Sequence, residues 1–383
     1  MKIIYLSNSK IPSSNANSVH VMKMCQAFKQ LDCSVSLYCE KGKQIVDSDE
    51  VFQKYGITDR FNIHAYNVSN KLNKVIPHSL RLAVKIAGAV RKKEANIDFL
   101  YARSILSIFL LRNRYKYFYE AHIPPKNFIY RFIEKSLLRN KNLNKVVVIS
   151  NELKNEYLRI FPWLSEDKVM VLHDCADFTN NIEDISKIQL KKSNDVTIGY
   201  LGHLYPGKCM EIITQIAKER PQYTFNIVGG TNEWVTYWSE YIKKQNISNI
   251  ILYGYVDNCL TPNYYVSFDI CILSFKENVF LGKKKKWDMG AWFSPLKLFE
   301  SMSFGNAILV SDLPTIREVV DNGVDAITCN PEDINSWVNS LDYLINNPEY
   351  RIRLGENARK KVEKQYTWTS RANQILNSFI RGR

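Results

Sequence analysis

Short apolar runs alternate with amphipathic helical stretches along most of the chain. The first strand-like run is KIIYLS at residues 2–7, an amphipathic stretch follows at 19–31, and another apolar run lies at 34–39. The alternation pauses at 176–195, which is polar and rich in Asn and Asp, and it resumes with VTIGYLG at 196–202. Strands that alternate with helices in this way predict open parallel sheets with helices on both faces.

The pause divides the chain into two predicted α/β domains of ordinary size. We predict one Rossmann-like domain over residues 1–178, a second over 195–365, and a C-terminal helix at 366–383 that packs back on the first domain. Ligands of open α/β sheets lie at the carboxyl ends of the strands. With two such domains facing each other, the predicted site is the cleft between them.

The charge of the chain is unevenly distributed, and this imbalance indicates what kind of partner the protein binds. The chain has 383 residues and a formal net charge of +14, and residues 51–150 alone hold 19 Lys and Arg against 5 Asp and Glu. Such an imbalance indicates an anionic partner: a nucleic acid, an acidic membrane face or a phosphorylated acceptor. The eight cysteines form no CxxC pair, and no apolar run reaches 18 residues. We therefore expect reduced thiols, no membrane-spanning helix and a cytoplasmic protein.

The most informative stretch is FSPLKLFESMSFGNAILVSD at residues 293–312. Ser294 is a suitable N-cap and Pro295 suits the first helical position, so the stretch predicts a helix followed by a buried strand. The start of a helix offers free N–H groups and a positive dipole end, which favour a phosphate. Lys297 beside a diphosphate and Glu300 beside ribose hydroxyls would suit a sugar nucleotide.

A second stretch, YLGHLYPGKCMEII at residues 200–213, predicts another phosphate-facing turn. A strand ends at Gly202, a turn follows at Pro206 and Gly207, and Lys208 stands at the start of a helix. This arrangement places a flexible cation against a phosphate. The spacing G-x-x-x-x-G-K-[ST] of a P-loop is absent.

These stretches resemble the family 4 glycosyltransferases of GT-B fold, in particular the subset with the SPLKLFE motif. The matching segments run in the family's order: GYLGHLYPGK, FNIVGG, LYGYV, DICILSF, SPLKLFESMSFGNAILVSDLPTIREVV and NPEDINSW. In the N-terminal half, NSVHVMKMCQAFKQL, YEAH and LHDCADF match less specifically. The resemblance covers nearly the whole chain, and the block at 294–318 is its most specific part.

The resemblance implies retaining transfer of a sugar from a nucleotide-diphosphate sugar, with no metal ion and no other cofactor. It assigns the donor to the second domain and the acceptor to the first. The donor-binding residues that it implies are Gly202, His203, Lys208, Val256, Ser294, Pro295, Leu296, Lys297 and Glu300. The catalytic residues that it implies are Lys208, Glu300 and His122, the last in YEAHIPP.

The sequence departs from the family pattern at three places. His203 stands where an arginine is common, and Trp292 stands where the first glutamate of a Glu-x7-Glu pair is usual. Ser-Pro at 294–295 replaces the commoner Phe-Gly. These departures leave open an altered donor specificity or a degenerate transferase that only binds.

The acceptor side is less specific. Asn17 and His20 lie between the first strand and the first helix, and Arg103 ends a strand. By resemblance the acceptor is a glycan or an undecaprenyl-linked sugar of bacterial surface polysaccharide biosynthesis, such as lipopolysaccharide O-antigen, capsule or exopolysaccharide. In same-face attack the leaving phosphate oxygen takes the proton of the acceptor. This mechanism requires the fewest catalytic groups from the protein, because positioning of the two substrates then provides most of the catalysis.

Two basic segments indicate contact with an anionic membrane on its inner face, and the second could instead close over the substrate. Residues 70–96 mix Lys and Arg with apolar residues at helical spacing, and residues 282–292 form a basic stretch with two tryptophans. Two alternatives remain: a sugar-nucleotide epimerase of the same fold and a basic nucleic-acid-binding protein. No recognition-helix, RNA-platform or zinc signature supports the nucleic-acid alternative, so we expect no nucleic-acid partner.

Overall fold

The computed structural model describes residues 1–42, 47–68, 76–192, 195–276 and 291–382. The chain divides into two compact units. The first consists of Met1–His173 together with Trp368–Arg383, and the second consists of Asp174–Thr367. The last helix of the chain is therefore part of the first unit.

The first unit contains a seven-stranded parallel sheet in the order β3-β2-β1-β4-β5-β6-β7. Its strands are β1 (Lys2–Ile11), β2 (Ser34–Lys41), β3 (Asn62–Tyr66), β4 (Phe99–Ala102), β5 (Tyr117–Ala121), β6 (Leu143–Val148) and β7 (Val169–Val171). Its helices are α1 (Ala16–Gln30), α2 (Ser48–Lys54), α3 (His78–Lys93), α4 (Ile105–Leu111), α5 (Phe128–Leu138), α6 (Asn151–Ile160) and α14 (Trp368–Arg381). Central strands are buried on both faces in such a sheet, which is why β1 reads as a continuous apolar run.

The second unit contains a six-stranded parallel sheet in the order β10-β9-β8-β11-β12-β13. Its strands are β8 (Ile198–Leu201), β9 (Phe225–Val228), β10 (Ile250–Gly254), β11 (Ile270–Leu273), β12 (Ala307–Ser311) and β13 (Ile327–Cys329). Its helices are α7 (Met210–Glu219), α8 (Asn232–Lys244), α9 (Thr261–Tyr265), α10 (Leu296–Ser303), α11 (Pro314–Arg317), α12 (Ile334–Asn346) and α13 (Pro348–Gln365). The predicted fold class, two parallel-sheet α/β domains, is confirmed.

Each sheet has a point where the strand order reverses. In the first unit β1 pairs with β2 on one side and with β4 on the other, and in the second unit β8 lies between β9 and β11. A crevice for ligands opens outside the carboxyl ends of the strands at such a point. Arg103 directly follows β4, His122 directly follows β5, and Gly202 directly follows β8.

The start of α10 differs from the sequence-based prediction. The helix begins at Leu296, and Pro295 occupies the N-cap position. The hydroxyl of Ser294 does not cap the helix: it accepts a hydrogen bond from the backbone N–H of Asp174 at 2.8 Å. Ser294 therefore fixes the approach of the chain to α10, and the first N–H groups of the helix receive no side-chain cap. The interpretation of Ser294 as an N-cap was wrong.

All eight cysteines are free thiols, as the sequence predicts, and all but Cys259 are buried. Among the described residues no helix combines the length and apolar character that crossing a bilayer requires.

Candidate functional site

The first turn of α10 brings Lys297 and Glu300 together. The Nζ of Lys297 lies 2.6 Å from Oε2 of Glu300, and the hydroxyl of Tyr265 donates to the same oxygen at 2.8 Å. Tyr265 comes from the end of α9, and its ring stacks on Phe304 with ring centroids 5.4 Å apart. Glu300 is thus held in place by a cation and a buried phenol, and the half-buried cation is the partner that a ligand could replace.

Lys208 lies in an aromatic environment. Its Nζ lies 4.7 Å from the ring centroid of Phe275, 5.6 Å from that of Tyr205 and 5.8 Å from that of Phe293. Burial lowers the pKa of Lys208 to about 8. Among the described residues no carboxylate pairs with its ammonium group. Aromatic faces stabilise this cation only in part, so an anionic ligand would find a poorly neutralised charge here.

His203 is electrostatically linked to both lysines. Burial first, and the charges of Lys297 and Lys208 next, lower the pKa of His203 to about 4. The imidazole is therefore neutral at pH 7, stacked near Tyr205 with ring centroids 5.6 Å apart. The predicted residues His203, Lys208 and Lys297 are close enough for both lysines to act electrostatically on the imidazole.

The backbone approaches closely at the carboxyl ends of β8 and β9. The N–H of Gly202 donates to Val228 O at 2.9 Å. Gly229 has φ +114, and a Cβ at Gly229 would lie 2.1 Å from the carbonyl oxygen of Gly202. Only glycine fits there, so the spacing of the two loops depends on it. Val256 follows β10 and packs partly against the core of this unit.

A carboxylate supports the turn that carries Lys208. Oε1 of Glu211 accepts from the backbone N–H of Gly207 at 2.9 Å. Gly207 has φ +85, a conformation that favours glycine. This contact holds the Pro206–Gly207 turn in a fixed position, and Lys208 follows it directly.

In the first unit, Glu120 is the centre of a buried polar cluster. Its Oε1 lies 2.5 Å from Nε2 of His122 and 2.9 Å from Nε2 of His20. Its Oε2 accepts from the hydroxyl of Tyr101 and lies 3.3 Å from Nη1 of Arg371. The Glu120 side chain has no exposed area, so its charge depends entirely on these neighbours.

The pKa values in this cluster follow from its charges. Burial alone would raise the pKa of Glu120, but Arg371 and then His20 hold it well below the ordinary value. Burial and the charge of Arg103 lower the pKa of His122 to about 4. His122 is therefore neutral at pH 7. A neutral imidazole that donates its Nε2–H to Glu120 presents Nδ1 as an acceptor.

The same cluster has the composition of a metal site, because His20, Glu120 and His122 offer ligand atoms within 4.8 Å of one another. The guanidinium of Arg371, however, already lies against Glu120. A metal ion would add positive charge beside it, so we regard the cluster as a hydrogen-bonded network around one carboxylate. The expectation that the reaction needs no metal stays a prediction.

A cavity of about 250 Å³ opens beside this cluster within the first unit. Asn17, Arg103 and His122 line it, and Lys126 contributes a second cation. The fourth predicted residue of this side, His20, is 1% exposed and lies behind the cavity wall. Three of the four predicted residues of the first unit thus meet at one cavity.

Several residues of these sites were not found from the sequence. Tyr265 and Glu134 lie in helices, where nothing local distinguishes them from packing residues, and Glu120 lies inside the buried strand β5. Arg371 lies in the last helix, 251 positions from its partner Glu120. The alternation in YFYEAH could have indicated that Glu120 is directed differently from its neighbours.

Trp292 lies two residues before Ser294 and is partly exposed. Most of the predicted basic stretch, residues 282–290, lies outside the described residues.

The family comparison agrees with the sequence-based interpretation of the second unit. Residues 181–361 match the family described as Glycosyl transferases group 1. The matched range contains every predicted donor-binding residue, from Gly202 to Glu300. The predicted class, a glycosyltransferase, agrees with this match.

Several curated proteins are similar to this chain in sequence, and most of them are named as glycosyltransferases. An uncharacterized 41.2 kDa protein in the cps region of Klebsiella pneumoniae is 22% identical over 262 residues, which cover 67% of this chain and 64% of that protein. Further relatives at 22% to 26% identity are named uncharacterized glycosyltransferases. The chain spans less than two thirds of the length of these relatives.

Solved structures share the fold across the whole chain. Anabaena Alr3699/HepE in complex with UDP has a TM-score of 0.71 at 14% identity, covering 100% of both chains. The lipopolysaccharide outer core galactosyltransferase WaaB has a TM-score of 0.67 at 14% identity, also covering 100% of both chains. These likenesses show the GT-B fold. The epimerase and nucleic-acid-binding alternatives are not favoured, and membership of family 4 stays a prediction.

Proposed function

We propose that the protein is a retaining glycosyltransferase that moves a sugar from a nucleotide-diphosphate sugar to a glycan or undecaprenyl-linked acceptor. The observation that carries the proposal is the grouping of His203, Lys208 and Lys297 at the carboxyl edge of β8 and the start of α10. Two cations beside uncapped helix N–H groups favour a diphosphate. The supporting comparison is the family match over the same residues.

In this proposal the bound nucleotide replaces the ion pair between Lys297 and Glu300 by its own contacts with each side chain. The diphosphate takes Lys297 from Glu300, and the ribose hydroxyls donate to the carboxylate that remains. Tyr265 keeps Glu300 oriented while the exchange takes place, because its hydroxyl donates to the same oxygen. The backbone N–H groups of Leu296 and Lys297 add donors at the positive end of α10.

Departure of the nucleoside diphosphate leaves negative charge on a phosphate oxygen. Lys208, Lys297 and the start of α10 stabilise that charge electrostatically. The acceptor hydroxyl attacks from the face that the leaving group occupied, and the departing oxygen takes its proton. His122, neutral and oriented by Glu120, positions a sugar hydroxyl through Nδ1. None of these steps uses a metal ion.

Membrane contact is part of the proposal. Of the basic segment predicted at 70–96, residues 76–96 are described and include α3. On α3, Leu80 and Val84 are exposed four residues apart, next to Arg81 and Lys85, and Ile76, just before the helix, is exposed as well. Such a face suits the interface of an anionic membrane. We therefore propose a peripheral protein at the inner face of the cell membrane, acting in surface polysaccharide biosynthesis.

The donor assignment is tested by substitution of Glu300. A thermal-shift screen with UDP-, GDP-, ADP- and dTDP-sugars identifies the donor, with UDP-sugars first because a fold relative was solved with UDP. Glu300→Ala is expected to lower transfer about 100-fold, since hydrogen bonds to a charged group contribute about 1.5–3 kcal/mol each. Glu332→Ala, an exposed carboxylate of the same unit, is the matched control. Full activity of Glu300→Ala would contradict the proposed site.

A further inference from the structure

Among the described residues, three buried polar atoms without hydrogen-bond partners belong to side chains that line the cavity of the first unit: one each from Asn17, Arg103 and Glu134. These atoms include Nη1 of Arg103 and Oδ1 of Asn17. Nδ2 of Asn17 donates to the Ser9 hydroxyl at 2.7 Å, so the orientation of its amide is fixed. A buried donor and a buried acceptor left unsatisfied are costly. A ligand with polar groups of both kinds would satisfy them.

The guanidinium of Arg103 is the stronger of the two indications. Its side chain is nine-tenths buried, and its Nε lies 3.9 Å from Oε1 of Glu120, beyond hydrogen-bond distance. That oxygen already interacts with His20 and His122, and the other oxygen of Glu120 interacts with Arg371. The charge of Arg103 is therefore weakly compensated. A planar guanidinium with a free N–H favours a carboxylate or a phosphate.

Other polar side chains in the cavity lining are neutral at pH 7. Glu134, also in the cavity lining, accepts from the Tyr119 hydroxyl at 3.0 Å, and burial raises its pKa to about 8. Glu134 is therefore mostly protonated at pH 7 and does not repel an anion. Together with the free acceptor of Asn17, it suits hydroxyl groups. The lining also holds a second cation, Lys126, and one carboxylate, Glu120, whose charge is already compensated by His20, His122 and Arg371. A cavity with this surplus of positive charge and several neutral partners fits a sugar that carries an acidic group.

We propose that this cavity binds the acceptor, and that the acceptor is a sugar whose carboxylate or phosphate pairs with Arg103. This inference rests on the proposed glycosyltransferase function and adds the chemical class of the acceptor. The same oxyanion chemistry has two sources, a uronic acid or a sugar phosphate. The probes described next distinguish them.

Binding of small probes to the full chain tests this inference. The probes are methyl glucuronide, glucose 6-phosphate and neutral methyl glucoside, titrated by saturation-transfer NMR. We expect at least one acidic probe to bind at least tenfold more tightly than the neutral probe, and the better one identifies the source. Arg103→Gln should abolish the preference, and Arg103→Lys should retain part of it. Arg159→Gln removes an exposed charge of the same unit and should change nothing.

Equal binding of all three probes, no binding of any, or an unchanged preference in Arg103→Gln would overturn the inference. Binding of UDP, GDP, ADP and dTDP is measured on the same samples. Hydrogen-exchange protection of the first-unit sheet, unchanged from the wild type, shows that the variants are folded. If the wild-type chain binds none of UDP, GDP, ADP and dTDP, the donor site is rejected, while the probes still decide whether the cavity selects an acid. The two failures are therefore distinguishable.

A different observation concerns α5, which exposes large apolar side chains. Phe128 is 81% exposed, Phe132 is 70% exposed, and Ile129 is 52% exposed. The helix itself is firmly anchored: Asn127 caps it by accepting from Tyr130 N–H at 3.1 Å, and Leu137 is fully buried. The apolar face is thus a property of an ordered helix, and water covers it in the isolated chain.

The charges around this face indicate what covers it. Exposed Lys126, Arg131, Lys135 and Arg139 lie on or next to α5, whose only acidic residue, Glu134, is buried. Apolar side chains flanked by cations are typical of helices that lie in an anionic membrane interface. Both α3 and α5 pack against α4, so the three helices are neighbours in the first unit. We infer that Phe128, Ile129 and Phe132 insert into an anionic lipid bilayer.

Vesicle sedimentation tests the role of α5. The wild-type protein should sediment with phosphatidylglycerol-containing vesicles and much less with pure phosphatidylcholine. The double variant Phe128→Ser and Phe132→Ser should bind at least tenfold more weakly. The control replaces Val324 and Ile352, exposed apolar residues of the second unit, by serine. Unchanged binding of the α5 variant would overturn the inference, and so would a wild-type dimer that the variant dissociates without any vesicle binding.

Discussion

Lys208→Met is expected to lower sugar transfer by at least about 100-fold while leaving the thermal midpoint of the ligand-free protein unchanged or higher. In the ligand-free protein the ammonium of Lys208 is buried among Phe275, Phe293 and Tyr205. Methionine keeps most of the volume and removes a charge that the surroundings oppose. In the reaction, the same change removes a cation from the developing negative charge, an effect typically of 100- to 1,000-fold.

The pH dependence of nucleotide binding gives the same prediction a second readout. Burial lowers the pKa of Lys208 to about 8, and a bound diphosphate would raise it again. Above pH 7, where the phosphates of UDP are fully ionised, affinity for UDP should therefore fall as the pH rises through 8. At pH 9 it should be about tenfold lower than at pH 7, because the protonated fraction of the free enzyme falls about tenfold. The affinity of Lys208→Met should not change over this range.

Lys218→Met is the matched control, since Lys218 lies on α7, the helix that follows Lys208, with its ammonium exposed and bonded to Gln245. It should show wild-type transfer and the wild-type pH profile. A Lys208→Met enzyme with normal transfer, or a wild-type affinity for UDP that is flat between pH 7 and 9, would remove Lys208 from the donor site.

The fold could be predicted from the sequence because its signals are local. Apolar runs such as KIIYLS and VTIGYLG became central strands, and the amphipathic stretches between them became helices. The grouping of Lys208 with Lys297 was also predictable, since both follow strands of one parallel sheet and carboxyl ends share an edge. Pattern and topology together therefore give the fold and the cationic part of the site.

The remaining parts of the site depend on contacts between distant segments. Nothing near Tyr265 indicates that its hydroxyl donates to Glu300, 35 positions later. Ser294 was interpreted as a helix cap from its neighbours, but its hydroxyl accepts from Asp174, 120 positions earlier. The role of such a side chain depends on the distant backbone group or charged residue that the fold places next to it. The local sequence around the side chain does not indicate that partner.

Arg371→Met is expected to destabilise the first unit by about 3–5 kcal/mol, the usual cost of leaving one charge of a buried ion pair uncompensated. Arg371 is 1% exposed, and it donates to the carbonyl oxygens of His173 and Leu172 at 3.0 and 3.2 Å while facing Glu120. The pKa of Glu120 is lower in the folded protein than in the unfolded chain. Its contribution to the free energy of unfolding is therefore fully present above the unfolded pKa, and it is lost as the pH falls through the folded pKa. Urea unfolding monitored by hydrogen exchange would locate the loss in the first unit.

Comparison with a double variant separates charge from packing. If the loss in Arg371→Met arises from the uncompensated Glu120, then adding Glu120→Gln should restore a large part of the stability, because the buried charge is then gone. If it arises from the lost backbone contacts of Arg371, the double variant should be no more stable than the single one. Arg381→Met, an exposed arginine at the end of the same helix, should be neutral. A recovery of stability without a recovery of transfer would show that Glu120 also orients His122, whose Nε2 lies 2.5 Å from the carboxylate.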